Sequence, residues 1–226
     1  MEALLNVLKV DLQNQEVLGR LTQLLGRRDV TAACAAEVWD QLAGLQRDSV
    51  PPILLRARLL EQVGKLAEAE AEYRLALELD GQHPIALDNF ATLLRDQQRW
   101  EEAIEVYRAR LLLEPDRAET LRRIGQCFNR LDRLPEALEN YNRALALEPD
   151  NVTALGYRGR LLRALGKVDA SIADFRRICV LDSGNAPAWR ELIFWLAGAE
   201  RESEALAALD EAERALGPTP KTWMAL

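Results

Sequence analysis

Few residues in this chain could do covalent chemistry. Its one histidine, His83, sits in Gly81-Gln82-His83-Pro84, a run of turn formers. No cysteine or serine nucleophile falls beside it in the repeating pattern described below. Cys34, Cys127 and Cys179 lie 93 and 52 residues apart. That spacing suits neither a disulfide framework nor a zinc site, and each thiol is expected to be a small buried hydrophobe. There is no Gly-rich phosphate loop and no Gly-x-Ser-x-Gly elbow. The many glutamates belong to solvated helix faces, with none expected in an apolar setting that would raise its pKa. No catalytic residue, cofactor or metal is therefore expected. The abundant chemical group is the guanidinium, with 25 Arg against 4 Lys. Arg bonds carboxylates through two parallel N–H groups, so the expected chemistry is non-covalent recognition of acidic groups.

Composition narrows the setting. The 226 residues carry 29 Lys+Arg and 36 Asp+Glu, a net charge of −7. With 49% hydrophobic and 29% charged residues, the chain has the make-up of a soluble globular protein. A net acid is a poor partner for nucleic acid and for an anionic membrane surface. The most apolar late stretch, 192–199, is eight residues long, against roughly 20 for a spanning helix. The N-terminus lacks the basic start, apolar core and small-residue cleavage site of a secretory signal. A reducing cytoplasm is the simplest expected location.

The elements that position these groups repeat. Segments starting at Val50, Pro84, Ala118, Val152 and Ala186 align with a 34-residue period and no insertion. Numbering each segment from its first residue, position 20 holds Ala69, Ala103, Ala137, Ser171 and Ala205. Position 24 holds Tyr73, Tyr107, Tyr141, Phe175 and Leu209. Position 8 is small in four of five: Ala57, Ala91, Gly125 and Gly159, with Ile193 the exception. Positions 4, 7, 8 and 11 share one helical face, as do 20, 24 and 27. Small residues at 8 and 20 let two helices approach, and the large residue at 24 fills the space beyond. One such pair cannot bury its apolar face alone, so neighbours must stack.

These residues, with Pro115 and Pro149 closing two segments, resemble the tetratricopeptide repeat family. The resemblance implies an all-α, right-handed α–α superhelix of about six helix-turn-helix repeats. It places repeats at 50–83, 84–117, 118–151, 152–185 and 186–219, a degenerate first repeat at 16–49 and an N-terminal capping segment at 1–15. Residues 220–226 are either a C-terminal cap or the start of a further repeat. The resemblance also implies that first helices line a concave groove for a peptide or protein partner.

First-helix positions 2, 5, 6, 9, 12 and 13 face that expected groove. Over five repeats they carry eight Arg and five acids, a balance of +3 in a chain of −7. The excess lies in the repeats starting at Ala118 and Val152. The expected groove residues are Arg58, Asn89, Arg122, Arg123, Gln126, Asn129, Arg130, Tyr157, Arg160 and Arg163. Arg would hold carboxylates, Asn and Gln would bond an extended backbone, and Tyr would offer a ring with a polar tip. The competing reading is that these arginines only solubilise helices and pair with nearby acids. The family's chaperone-tail clamp is matched only by Asn89 and Arg123, while Glu119 replaces one of its lysines. Arg56 and Arg158 at position 7, and Arg110 at position 27, depart from the apolar pattern. Their stems are expected to lie on apolar surface with the heads in water, or else to meet a partner's carboxylates.

The expected function is a non-enzymatic protein-interaction scaffold holding an acidic peptide or protein. Small-molecule substrates, nucleic acid and membrane insertion are not expected. Two alternatives stay open: the recognition arm of a larger enzyme such as a transferase, and a self-assembling, homo-oligomeric structural protein.

Overall fold

The computed structural model describes residues 50–217. The expected N-terminal cap, the degenerate first repeat, Cys34 and the segment 220–226 lie outside the described residues. Ten α-helices and no strand occur among the described residues. They are α1 (Val50–Gln62), α2 (Leu66–Leu79), α3 (Pro84–Asp96), α4 (Trp100–Leu113), α5 (Ala118–Arg130), α6 (Leu134–Leu147), α7 (Val152–Ala164), α8 (Val168–Leu181), α9 (Ala186–Gly198) and α10 (Glu202–Leu216). The chain divides into two compact units between Leu113 and Glu114. Helices α1–α4 belong to the first unit and α5–α10 to the second.

Every odd-numbered helix ends in the same way. The residue at position 15 takes a left-handed backbone: φ is 78° at Gly64, 63° at Gln98, 57° at Asp132, 71° at Gly166 and 58° at Glu200. The next amide then reaches back to the carbonyl of position 11, with N···O distances of 2.8–3.0 Å for Lys65 to Leu60, Arg99 to Leu94, Arg133 to Phe128, Lys167 to Leu162 and Arg201 to Leu196. This closes the last turn over otherwise unbonded carbonyls. The helix starts are less uniform. Asn151 and Asn185 accept the Ala154 and Ala188 amides at 2.9 and 3.1 Å. His83, expected to be only a loop residue, accepts the Ala86 amide through Nδ1 at 3.3 Å. Arg117, at the same place before α5, makes no side-chain cap.

The core follows the position rules. Tyr73, Tyr107 and Tyr141 are fully buried and Phe175 nearly so. A Cβ on Gly125 would sit 2.7 Å from the Tyr141 ring, so only glycine fits without movement there. Ser171 occupies the small position 20 and donates to the Gly159 carbonyl at 2.8 Å. Within each unit the second helix of a pair also packs on the first helix of the next. Tyr73 meets Phe90 with ring centroids 6.2 Å apart in the first unit. Phe175, Ile178, Trp189 and Leu192 join α8 to α9 in the second.

The three out-of-pattern arginines differ from expectation. Arg56 is 3.4 Å from Glu72, and Arg158 is 2.6 Å from Asp174 with a further bond to Asn142 at 3.0 Å. Arg110 is almost wholly buried, 3.2 Å from Asp88. Each head meets an acid of this chain, with Arg158 still partly exposed. Position 7 pairs with position 23 of the same repeat, because 16 residues along the hairpin bring those two places face to face.

Candidate functional site

The expected groove residues divide between the two units. Arg58 and Asn89 belong to the first. Arg58 is 3.1 Å from Glu61, which also accepts the Tyr73 hydroxyl. Burial pushes the Glu61 carboxyl above its ordinary range, against the pull of Tyr73 and Arg58. This corrects the expectation that no glutamate sits in such a setting. Asn89 is half-buried on α3.

The other eight lie in the second unit, on α5 and α7. Glu119, one turn ahead of both, accepts Arg122 through Nε and Nη2 at 2.6–2.9 Å and Arg123 through Nε at 2.7 Å. Burial alone would raise the Glu119 pKa, yet the Arg122 and Arg123 bonds hold it below the ordinary carboxylate range. These two arginines therefore spend much of their field on one local acid. The signal was present in sequence: Glu119 stands three and four places before them, where helical side chains meet.

Tyr157 is the hub of the cluster. Its ring stacks on Tyr141 with centroids 6.0 Å apart and planes 13° from parallel. Two guanidiniums approach it, Arg122 at 5.7 Å and Arg160 at 5.1 Å from the ring centre. Cations favour the negative face of an aromatic ring, which orients both side chains. Arg163 lies 5.2 Å from the Trp195 ring centre and 3.6 Å from Glu191, whose Oε2 also accepts Trp195 Nε1 at 3.1 Å. Gln126 is half-buried, while Asn129 and Arg130 are exposed near the end of α5.

Arg160 and Arg190 stand apart from this neutralisation. Among the described residues, neither has a carboxylate within 4.0 Å. Both border a cleft of about 280 Å³ between α7 and α9. Its other walls include Gly156, Tyr157 and Ala188, with Phe175 and Ile178 of α8 beneath. Cleft-bordering Arg190, at first-helix position 5 of the repeat starting at Ala186, is not among the expected groove residues. Only the stacking of α9 beside α7 reveals its place.

Cys127 and Cys179 are buried as expected, and burial pushes the Cys179 thiol up to about 12, where it carries negligible thiolate. Among the described residues no helix is long and apolar enough to cross a membrane.

Comparisons with known proteins agree with this architecture. Models described as tetratricopeptide repeat match residues 52–83, 82–150 and 131–186. No curated protein sequence matches the chain. Among solved structures, pilF of Pseudomonas aeruginosa is similar with TM-score 0.70 at 17% identity, over 91% of this chain and 93% of that one. YrrB, described as a TPR protein with an unusual peptide-binding site, gives 0.61 at 23% identity, over 82% and 93%. MamA of Desulfovibrio magneticus RS-1 gives 0.64 at 16% identity, over 77% and 98%. At these identities the likeness is one of fold, an all-α helical repeat solenoid. The overlapping family matches, which together span residues 52–186, the helix pairs and the position-8, -20 and -24 core place the chain in the tetratricopeptide repeat family.

Proposed function

We propose that this protein is an interaction scaffold that holds an acidic peptide or protein segment against the first helices of its second unit. Membership of a family of interaction repeats supports the scaffold reading, and so does the peptide-binding site named for YrrB. The observation that carries the acidic partner is the pair Arg160 and Arg190, uncompensated beside one cleft in a chain of net charge −7. Desolvating a lone guanidinium is costly, whereas a carboxylate forms short, charge-assisted bonds with it. Binding needs no covalent step: Arg160 and Arg190 attract, the Tyr157 face and the cleft floor supply apolar contact, and Gln126 and Asn129 bond backbone. Arg122 and Arg123 act chiefly by setting the Tyr157 and Glu119 geometry. A cytoplasmic location fits the buried thiols.

Peptide display against the full chain tests this. Selected peptides should be rich in Asp and Glu. Their affinity should fall by about tenfold or more in Arg160→Glu and Arg190→Glu, and fall again as salt rises. Selection of neutral or basic peptides, or indifference to both reversals, would sink the reading.

A further inference from the structure

Position 16, the residue just before each second helix, is basic in all five described repeats: Lys65, Arg99, Arg133, Lys167 and Arg201. In four of them it holds a glutamate three places on, at position 19. The distances are 3.0 Å for Lys65–Glu68, 2.6 Å for Arg99–Glu102, 2.6 Å for Arg133–Glu136 and 2.7 Å for Arg201–Glu204. Two of these cations also reach an acid of the preceding second helix, Arg99 to Glu70 at 2.6 Å and Arg201 to Asp169 at 3.0 Å. The repeat starting at Val152 breaks the pattern. Its position 19 is Ala170, and the two matching places on α6 hold Leu138 and Pro135. Among the described residues, Lys167 has no carboxylate within 4.0 Å.

The same replacements make a cleft beside that lysine. Leu138 of α6, Leu162 of α7 and Ala170 and Ala173 of α8 line it, and Lys167 borders it. Ala170, Ala173 and Lys167 are exposed and Leu138 is half-buried, over the buried Leu162. The cleft's other charges, Arg158 and Asp174, are bonded to each other at 2.6 and 2.9 Å, so Lys167 leaves one positive charge unbalanced. The Asn142 carbonyl oxygen is taken by Arg158. No lining residue is shared with the cleft that Arg160 and Arg190 border. An apolar surface beside a lone ammonium suits an aliphatic side chain with a carboxylate close by. An extended segment would lay its N–H and C=O groups on carbon here, and each group left unpaired costs free energy. A helix bonds its own backbone and presents side chains three or four apart on one face. We propose that the cleft between α6 and α8 docks an amphipathic helix of a partner. An aliphatic side chain rests on Leu138, Leu162 and Ala173, and a carboxylate one turn away meets Lys167. This is a second interaction surface, independent of the peptide site on the first helices.

Phage display on the full chain tests it, with a library of alanine-based helices randomised at i, i+3, i+4 and i+7 of one face. Recovered helices should carry Leu, Ile or Val one turn from Asp or Glu. Their affinity is read by fluorescence anisotropy on the labelled synthetic helices. It should fall about tenfold or more in Ala170→Glu, which gives Lys167 the acid that four repeats already carry, and in Lys167→Glu. Arg160→Glu should leave it unchanged. Circular dichroism melts should show Ala170→Glu to be no less stable than the parent chain; if it melts lower, the exposed Lys167→Glu decides alone. Recovery of no helix, or of helices that bind Lys167→Glu as tightly as the parent chain, overturns the inference. Helices lost in Arg160→Glu but kept in Lys167→Glu belong to the first-helix face, which overturns the second surface and leaves the acidic-peptide reading standing.

Discussion

Tyr73, Tyr107 and Tyr141 share one repeat position, yet their hydroxyls end differently. Tyr73 donates to Glu61, Tyr107 lies 3.4 Å from Thr92, and the buried Tyr141 hydroxyl has no hydrogen-bond partner. Position 24 is thus chosen for ring volume, and the hydroxyl is served only where the first helix provides a partner. Tyr141→Phe removes an unsatisfied buried group, so stability should be unchanged or rise by up to about 1 kcal/mol. Tyr73→Phe deprives the half-buried Glu61 of a donor and should cost about 1–2 kcal/mol. Urea unfolding of both variants checks the contrast, and an equal loss in the two would refute it. Gly125→Ala should cost about 1–3 kcal/mol by the same measurement, because the new methyl would overlap the Tyr141 ring.

Helix ends and helix pairs carry a second set of consequences. The left-handed residue at position 15 is glycine in two repeats and Gln98, Asp132 or Glu200 in the other three. An L-residue there costs about 1–2 kcal/mol, partly offset because glycine gains more freedom on unfolding. Gln98→Gly should therefore raise the melting temperature slightly, whereas Gly166→Ala should lower it; opposite signs would show that loop contacts outweigh backbone conformation. The pairs between positions 7 and 23 behave as units. Asp174→Val alone strands Arg158 and should cost about 2–3 kcal/mol. Adding Arg158→Ile should recover most of that, since Phe90 and Val106 already fill the same two places as apolar residues. A double-mutant cycle with no coupling would argue against the pairing.

At the scale of the molecule, acid sensitivity follows from Arg–Glu contacts repeated along the chain. Hydrogen bonds from Arg99 hold Glu70 and Glu102 low, and Arg133 does the same for Glu136. Arg201, then Arg176, hold Glu204 at about 2. A carboxylate whose folded pKa is depressed contributes stability that is complete above its unfolded value, near 4.5, and is lost as pH falls through the folded value. Stability should therefore decline from about pH 4.5 downward, with Glu204 the last to protonate. Glu61 runs the other way, since its raised pKa favours folding under acid. NMR titration of the Glu204 carboxyl alongside unfolding curves from pH 7 to 2 measures both. Flat stability across that range would show the contacts to be energetically silent.

The sequence by itself determined the period, the helix pairs and the core positions. Those depend on contacts three, four and sixteen residues apart, which recur identically each time the pattern recurs. It also contains the Glu119 spacing that neutralises Arg122 and Arg123, and the matching of Arg at position 7 with an acid at position 23. Its charge balance indicated a basic first-helix face but did not separate occupied arginines from available ones. For Arg163 only the tertiary structure made that division, because its acid comes from another helix. Glu191 of α9 reaches Arg163 of α7, while among the described residues no carboxylate lies within 4.0 Å of Arg160 or Arg190. The cleft between them exists only where two repeats stack, and a 34-residue pattern read along one strand of sequence carries no record of the space left between its copies.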